Sequence, residues 1–236
     1  MKDVIEIIEN IRVAESKDEL SGIVEELSSL IGLEYYLLGY TKAESMISSE
    51  TTIIDNYPSD WRAIYDNENL VQHDPTVEYS LSRSAPITWH QIGELPLRNS
   101  QKDVMSQAKD SGLKTGFSIP LHGAQSEFGM FSFGSSSSDH SMLNSAIVKA
   151  QVVAPVLLDK LKNFNAPIDI SLTKREKECL LWVSEGKSSW EISVIIGCSE
   201  RTVVFHLTNA TNKLGCTNRY QAVSKAIILG IIRPMI

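Results

Sequence analysis

No apolar run in the sequence approaches the roughly 18 residues that a membrane-spanning helix needs, and no charged-then-apolar leader opens it. A cytoplasmic protein with no membrane partner is therefore expected. Cysteine is scarce: Cys179, Cys198 and Cys216 are odd in number, form no C-x-x-C pair and cluster near the C-terminus, so they read as reduced packing residues. His73, His90, His122, His140 and His206 have no metal-ligand spacing, and neither a G-x-S-x-G elbow nor a glycine-rich phosphate loop is present. No catalytic residue, metal or cofactor is expected. A phosphorylated receiver domain is also disfavoured, because nothing before Asp55 supplies an acidic pair after a buried strand.

Charge, in contrast, is present and unevenly spread. The chain carries a net −7, but residues 170–236 hold nine Lys and Arg against five Glu, so the basic end is +4 and the remainder −11. Such a split suits phosphate contact confined to the end of the chain.

That end is also where helix signals are most explicit. Thr173 stands three residues before Glu176 and Ser188 three before Glu191, both capping-box spacings, and Gly186 and Gly197 sit where helices stop. Ser199 can open a third helix running to about Leu214, and Asn218 a fourth closing at Gly230. The turn Gly197-Cys198-Ser199 is short enough for a helix-turn-helix. On the third helix, Val203, Leu207, Ala210 and Leu214 form one apolar stripe, while Arg201, Phe205, Thr208 and Asn212 face the other way. Guanidinium, amide, hydroxyl and apolar groups are what base edges and thymine methyls can contact. A four-helix bundle with a merely polar surface is the alternative, and the charge split weighs against it.

Earlier in the chain, Ile5, Ile8 and Ile11 mark one amphipathic helix, and Leu20, Val24, Leu27 and Ile31 a second that ends at Gly32. Residues 34–40 and 51–55 read as strands, helices follow Pro58 and Pro75, and residues 101–111 form another helix before Gly112. Residues 115–122 and 127–133 flank a turn at 123–126 and read as a hairpin. From 141 to 164, Leu143, Ile147, Val148, Val152, Val156, Leu157 and Leu161 recur at helical spacing. Strands grouped between helices imply an α/β sandwich, a mostly antiparallel sheet between helices, over residues 1–165. A linker at 166–170 with Pro167 then leads to an all-α four-helix domain at 171–236.

In the first domain the chemistry gathers at residues 56–77. Tyr57, Trp61 and Tyr65 share one face if the segment is helical, and Asp74 precedes Pro75. Each also has a plain structural reading, as an aromatic core stripe and a helix cap. As a set, however, a donor-only indole, an acceptor-only carboxylate and a phenol complement a small molecule with two carbonyls and one N–H.

Two motif sets carry a family resemblance. Leu172-Thr173-Lys174-Arg175-Glu176 with Glu185-Gly186-Lys187, Ser199-Glu200-Arg201-Thr202-Val203, Phe205-His206 and Lys213-Leu214-Gly215 resembles the LuxR-type DNA-binding module. The 56–77 segment, Trp89 in Ile-Thr-Trp, and the run Gly112 to Leu121 resemble the autoinducer-binding domain of LuxR-type quorum-sensing regulators.

The resemblance implies an N-acyl homoserine lactone as ligand, a homodimer, and a palindromic double-stranded operator. Carried over by position, Trp61 donates to the lactone carbonyl, Tyr57 to the acyl carbonyl, and Asp74 accepts from the amide N–H. Ser132 places a hydroxyl near the acyl carbonyl, Tyr65 and Trp89 wall the pocket, Gly116 permits close approach, and Arg62 matches relatives that respond to 3-oxo chains. For DNA the matching positions are Ser199, Arg201, Thr202, Val204, Phe205, Thr208, Asn209, Asn212 and Lys213. Val204 stands where many relatives carry Lys or Asn, and Thr208 where some carry Arg or Lys, so guanine readout should be weak and phosphate and shape contacts heavier. Helices 141–164 and 219–230 are candidate dimer contacts. A solo or ligand-independent regulator sensing a different small molecule is the alternative.

Overall fold

The computed structural model describes residues 3–123, 127–164 and 170–234. The chain divides into two compact units: among the described residues the larger holds 3–41, 51–123 and 128–164, and the smaller holds the C-terminal helices together with 42–50 and 127. The hairpin turn expected at 123–126 lies outside the described residues apart from Gly123, and the linker expected at 166–170 apart from Ile170.

Helices α1 (Val4–Val13) and α2 (Lys17–Ile31) open the larger unit. The Ser16 hydroxyl accepts from the Glu19 N–H at 3.2 Å to start α2, and Gly32, at a left-handed φ of 78°, ends it. Strands β1 (Tyr35–Ser45) and β2 (Ser48–Asp55) follow, then α3 (Ser59–Asn67), a 3-10 turn at Leu70–Gln72, α4 (Pro75–Ser82), β3 (Ile87–Thr88), α5 (Trp89–Gly93) and α6 (Asn99–Asp110). Strands β4 (Thr115–His122) and β5 (Glu127–Ser135) and the long α7 (Leu143–Phe164) complete it.

The five strands form one sheet in the order β2-β1-β5-β4-β3, with β3 and β5 both antiparallel to β4. Because side chains alternate along a strand, the sheet serves two layers. Tyr36, Leu38 and Tyr40 of β1, Phe117 and Ile119 of β4, and Phe131 and Phe133 of β5 enter the main core with α1, α2 and α7. Each fully buried Leu, Ile or Phe side chain contributes about 1.5–3 kcal/mol there. The intervening residues face the other layer, where α3 to α6 lie.

Three expectations change. Ile5 is 62% exposed, while Ile11 is buried and Ile8 packs on the core as expected, with Ile7 buried beside them in place of Ile5. On α7, Val148 and Val152 are exposed while Ala146, Ala150 and Ala154 are buried, because small side chains let the helix come close to its neighbours. Residues 41–45 and 48–50 extend β1 and β2 beyond the strands expected at 34–40 and 51–55, around a turn at Met46 and Ile47, with the Thr41 and Thr51 hydroxyls 3.0 Å apart across the pair.

The smaller unit contains α8 (Lys174–Ser184), α9 (Ser189–Ile196), α10 (Glu200–Lys213) and α11 (Arg219–Ile228). Both capping boxes form: the Thr173 and Ser188 hydroxyls accept from the N–H of Glu176 and Glu191, whose carboxylates accept in return from the backbone N–H of Thr173 and Ser188, each at 2.8 Å. Val203, Leu207, Ala210 and Leu214 are all buried, holding α10 against α8, α9 and α11. Cys179 is fully buried, and burial pushes its thiol up to about 11, which suits a packing residue.

Candidate functional site

A cavity of about 540 Å³ lies in the larger unit between the second face of the sheet and helices α3 to α6. Its sheet wall is built by alternation: Leu37, Gly39 and Thr41 of β1 and Met130 and Ser132 of β5 face it, while their neighbours in sequence fill the core. Trp61, Leu70, Val104 and Leu113 form a small apolar cluster beside it, with Tyr57, Tyr65 and Trp89 packed on. A largely apolar cavity of this size with a few convergent polar groups is the ordinary form of a small-molecule site.

Tyr57, Trp61, Tyr65 and Asp74 all line this cavity, as the sequence anticipates. The helix carrying the aromatic stripe starts only at Ser59, so Tyr57 sits in the connection before it. There Asp55 Oδ1 accepts the Tyr57 N–H at 3.1 Å and sets the chain's entry. Trp61, 3% exposed, meets the Tyr65 ring edge-on at 5.5 Å. Asp74 is the anticipated helix cap, and its second oxygen is engaged by a neighbour in the cavity wall. Oδ1 accepts the N–H groups of Thr76 at 2.7 Å and Val77 at 3.4 Å, capping α4, while Oδ2 accepts the Tyr65 hydroxyl at 2.9 Å.

Burial dominates the electrostatics of this cluster. It raises the Asp74 carboxyl above its ordinary value, opposed by the hydrogen bonds from Tyr65, Thr76 and Val77. Burial also raises the Tyr57 hydroxyl, and the nearby carboxylates of Asp74 and Asp55 push the same way. Tyr57 therefore stays protonated and able to donate. Tyr65 is raised likewise, by burial first and then by Asp74.

The Trp89 indole N–H donates to Ser118 Oγ at 3.2 Å, and Ser118 Oγ lies 2.7 Å from Ser132 Oγ. A donor on Ser118 favours passing its own proton to Ser132, which leaves the Ser132 proton for the Tyr57 side of the cavity. Gly116 is required by Trp89: a Cβ there would stand 2.8 Å from the indole and closer still to the Phe133 carbonyl oxygen. Gly134, its cross-strand partner, does the same, since a Cβ would come within 2.6 Å of the ring. Arg62 is braced rather than free. Its Nη2 bonds Asp66 at 3.1 Å, its Nε lies 3.5 Å from Asp55, and its guanidinium covers Tyr65 at 5.5 Å from the ring centre.

The sequence reading missed Ser118 and Gly134, together with Leu37, Thr41, Thr51 and Met130. The β4–β5 register, which sets Ser118 against Ser132 and Gly116 against Gly134, is what links them to the anticipated residues. Among the described residues, no group of three or more His, Cys, Asp and Glu could hold a metal ion.

In the smaller unit, Arg201, Val204, Phe205, Thr208 and Asn212 are exposed on α10, and Asn209 is half-buried. Phe205 is 61% exposed, a large apolar side chain in water on the face anticipated to meet DNA. The hydroxyls of Ser199 and Thr202 are engaged in the cap, 2.8 Å apart, with Ser199 also accepting the Thr202 N–H at 3.1 Å. Lys213 is drawn inward: its ammonium donates to Glu176 Oε2 at 2.8 Å and ties the end of α10 to the start of α8.

Comparison with known proteins accounts for both units. Residues 16–161 match the autoinducer binding domain, and residues 170–226 match the bacterial regulatory proteins of the luxR family. The transcriptional activator protein LuxR of Aliivibrio fischeri is 44% identical over 236 residues, spanning 98% of this chain and 94% of that one. The transcriptional activator protein VanR of Vibrio anguillarum is 41% identical over 240 residues, spanning 99% of each. Among solved structures, Escherichia coli SdiA is similar in fold, with a TM-score of 0.81 at 24% identity over 98% of both chains. No helix among the described residues is long and apolar enough to cross a membrane. The chain belongs to the LuxR family of bacterial transcription regulators, with an autoinducer-binding domain ahead of a LuxR-type DNA-binding domain.

Proposed function

We propose that this protein is a quorum-sensing transcription regulator that binds an N-acyl homoserine lactone in the cavity of its larger unit and, as a homodimer, a palindromic operator through α10. The observation that carries the reading is the convergence of Tyr57, Trp61, Asp74 and Ser132 on one largely apolar cavity. Two donors can meet two carbonyls, and the carboxylate can accept the amide N–H between them. Trp61 takes the lactone carbonyl, Tyr57 with Ser132 the acyl carbonyl, and Asp74 the amide. Arg62, braced at the cavity edge, is the donor available to a 3-oxo group. Relatives named as transcriptional activators support activation as the output.

A ligand that binds only the folded form adds about 2.7 kcal/mol of stability at a hundredfold excess over its dissociation constant. That is enough to move a marginal chain from turnover to persistence. Val148 and Val152, exposed on α7, support that helix as a dimer surface, and exposed Ile227 supports α11. The test is the melting temperature of the protein against lactones of graded chain length and 3-oxo substitution, with recovery of intact lactone as a check against hydrolysis. A concentration-dependent rise is expected; no rise with any lactone would overturn the ligand assignment.

A further inference from the structure

A second cavity, of about 410 Å³, lies within the smaller unit between α10 and α11. Its lining contains no carboxylate and one full charge, the guanidinium of Arg219. That group is held from two sides: Nη1 donates to Ser189 Oγ at 3.4 Å, and the guanidinium lies 5.5 Å from the centre of the Tyr220 ring. A braced guanidinium loses less freedom on binding than a free lysine does. Ser189 accepts from Arg219 and so keeps its own proton to donate. Thr208 and Asn212 line the wall made by α10, and Tyr220, 70% exposed, stands on the other.

Donors grouped around one positive charge, with no acid among them, match an anion that only accepts hydrogen bonds, such as a phosphodiester. The groove borders the exposed face of α10, so the phosphodiester within reach is the backbone of the duplex that α10 meets. We propose that this groove grips one sugar-phosphate strand, with Arg219 and Tyr220 holding a phosphate and Thr208 and Asn212 turned to the backbone rather than to base edges. The inference rests on the DNA-binding reading above. It divides α10 into a reading part, carried by Arg201 and Phe205, and a part that fixes depth and register.

The test uses the full-length protein saturated with an N-acyl homoserine lactone and two duplexes, one selected from a random pool by the wild-type protein and one scrambled. Arg219→Gln is expected to weaken binding about tenfold on both duplexes alike. The slope of log K against log salt should become shallower by about 0.9 for each arginine engaged. Arg219→Lys should restore the slope, because the charge is kept. If Arg219→Gln does not fold, Tyr220→Phe carries the test, since its hydroxyl sits on an exposed side chain; an equal, smaller loss on both duplexes is expected. Wild-type binding with an unchanged Arg219→Gln slope, or a Tyr220→Phe loss confined to the selected duplex, overturns the groove assignment alone. A wild-type protein that binds no duplex overturns the DNA-binding reading and the groove with it.

Discussion

The Tyr65 hydroxyl donates to one oxygen of Asp74 at 2.9 Å while the other oxygen of the same carboxylate caps α4. One side chain thus fixes the start of a helix and presents a buried acceptor to the cavity, and the two tasks fall on different atoms.

That division makes Asp74→Asn a clean probe. Asparagine is as good a helix cap as aspartate, so α4 should keep its start and the unliganded protein its fold. With its oxygen kept by the cap, its amide nitrogen would face Tyr65 and the ligand N–H as a third donor. Ligand affinity should fall by about 1.5–3 kcal/mol, roughly ten- to hundredfold. Calorimetric titration of both proteins checks this, and equal affinities would remove Asp74 from the site.

The raised Asp74 carboxyl gives that affinity a pH dependence of defined sign. A ligand N–H prefers the carboxylate, so binding lowers the pKa and expels a proton wherever the unliganded group is still protonated. Affinity should rise with pH through the unliganded pKa and then level off. In the unliganded protein the sign is opposite: a raised carboxyl favours the protonated folded form, so its contribution to stability is lost as pH rises through that pKa. Asp74→Asn should flatten both profiles. A parent profile that falls with rising pH across the acid range would contradict the assignment.

Gly116 and Gly134 should differ in cost despite being cross-strand partners. An alanine at 134 meets the Trp89 ring and, at 3.5 Å, the Leu113 side chain, which can shift at about 1–3 kcal/mol. An alanine at 116 also meets the Phe133 carbonyl oxygen, which belongs to the sheet and cannot yield as readily. Gly116→Ala should therefore destabilise more, and Gly134→Ala should move the tryptophan emission while leaving the fold. Thermal melts and fluorescence read both.

The Lys213–Glu176 pair should stabilise the smaller unit through acid pH. Burial works against the Glu176 charge, but Lys213 and Thr173 outweigh it and hold the carboxyl below its usual range. Its contribution is present above the ordinary glutamate pKa and fades as pH falls through the lowered one. With Lys213 41% exposed, Lys213→Met should cost only about 1–2 kcal/mol. Glu176→Gln keeps a capping-box residue while removing the charge, so its melting temperature should depend less on acid pH. Melts of the full-length variants between neutral and acid pH test the pair.

The smaller unit was legible in the sequence because its signals are local. Thr173 with Glu176, Ser188 with Glu191, and the Val203 to Leu214 stripe all act within a turn or a few turns. Contacts between distant residues left no such mark. Lys213 reaches Glu176 across 37 positions, Trp89 reaches Ser118 across 29, and Arg219 reaches Ser189 across 30. Ile5 and Val148 misled for a related reason: spacing shows that a helix has an apolar side, but which stripe is buried depends on the neighbour it meets. In β1 and β2 the opposite happened, since the strands run on through 41–45 and 48–50, where no apolar alternation reveals them.

The alternation along β1 and β5 bears on how a receptor of this kind can change its signal. Tyr36, Leu38, Tyr40, Phe131 and Phe133 hold the sheet to its helices, while Leu37, Gly39, Thr41, Met130 and Ser132, one residue away from each, shape the chamber. Substitutions at Leu37, Thr41 and Met130 reshape the chamber without thinning the core, so change there is felt by a bound molecule before it is felt by the fold. New signal preferences can therefore accumulate along the same two strands that keep the protein folded.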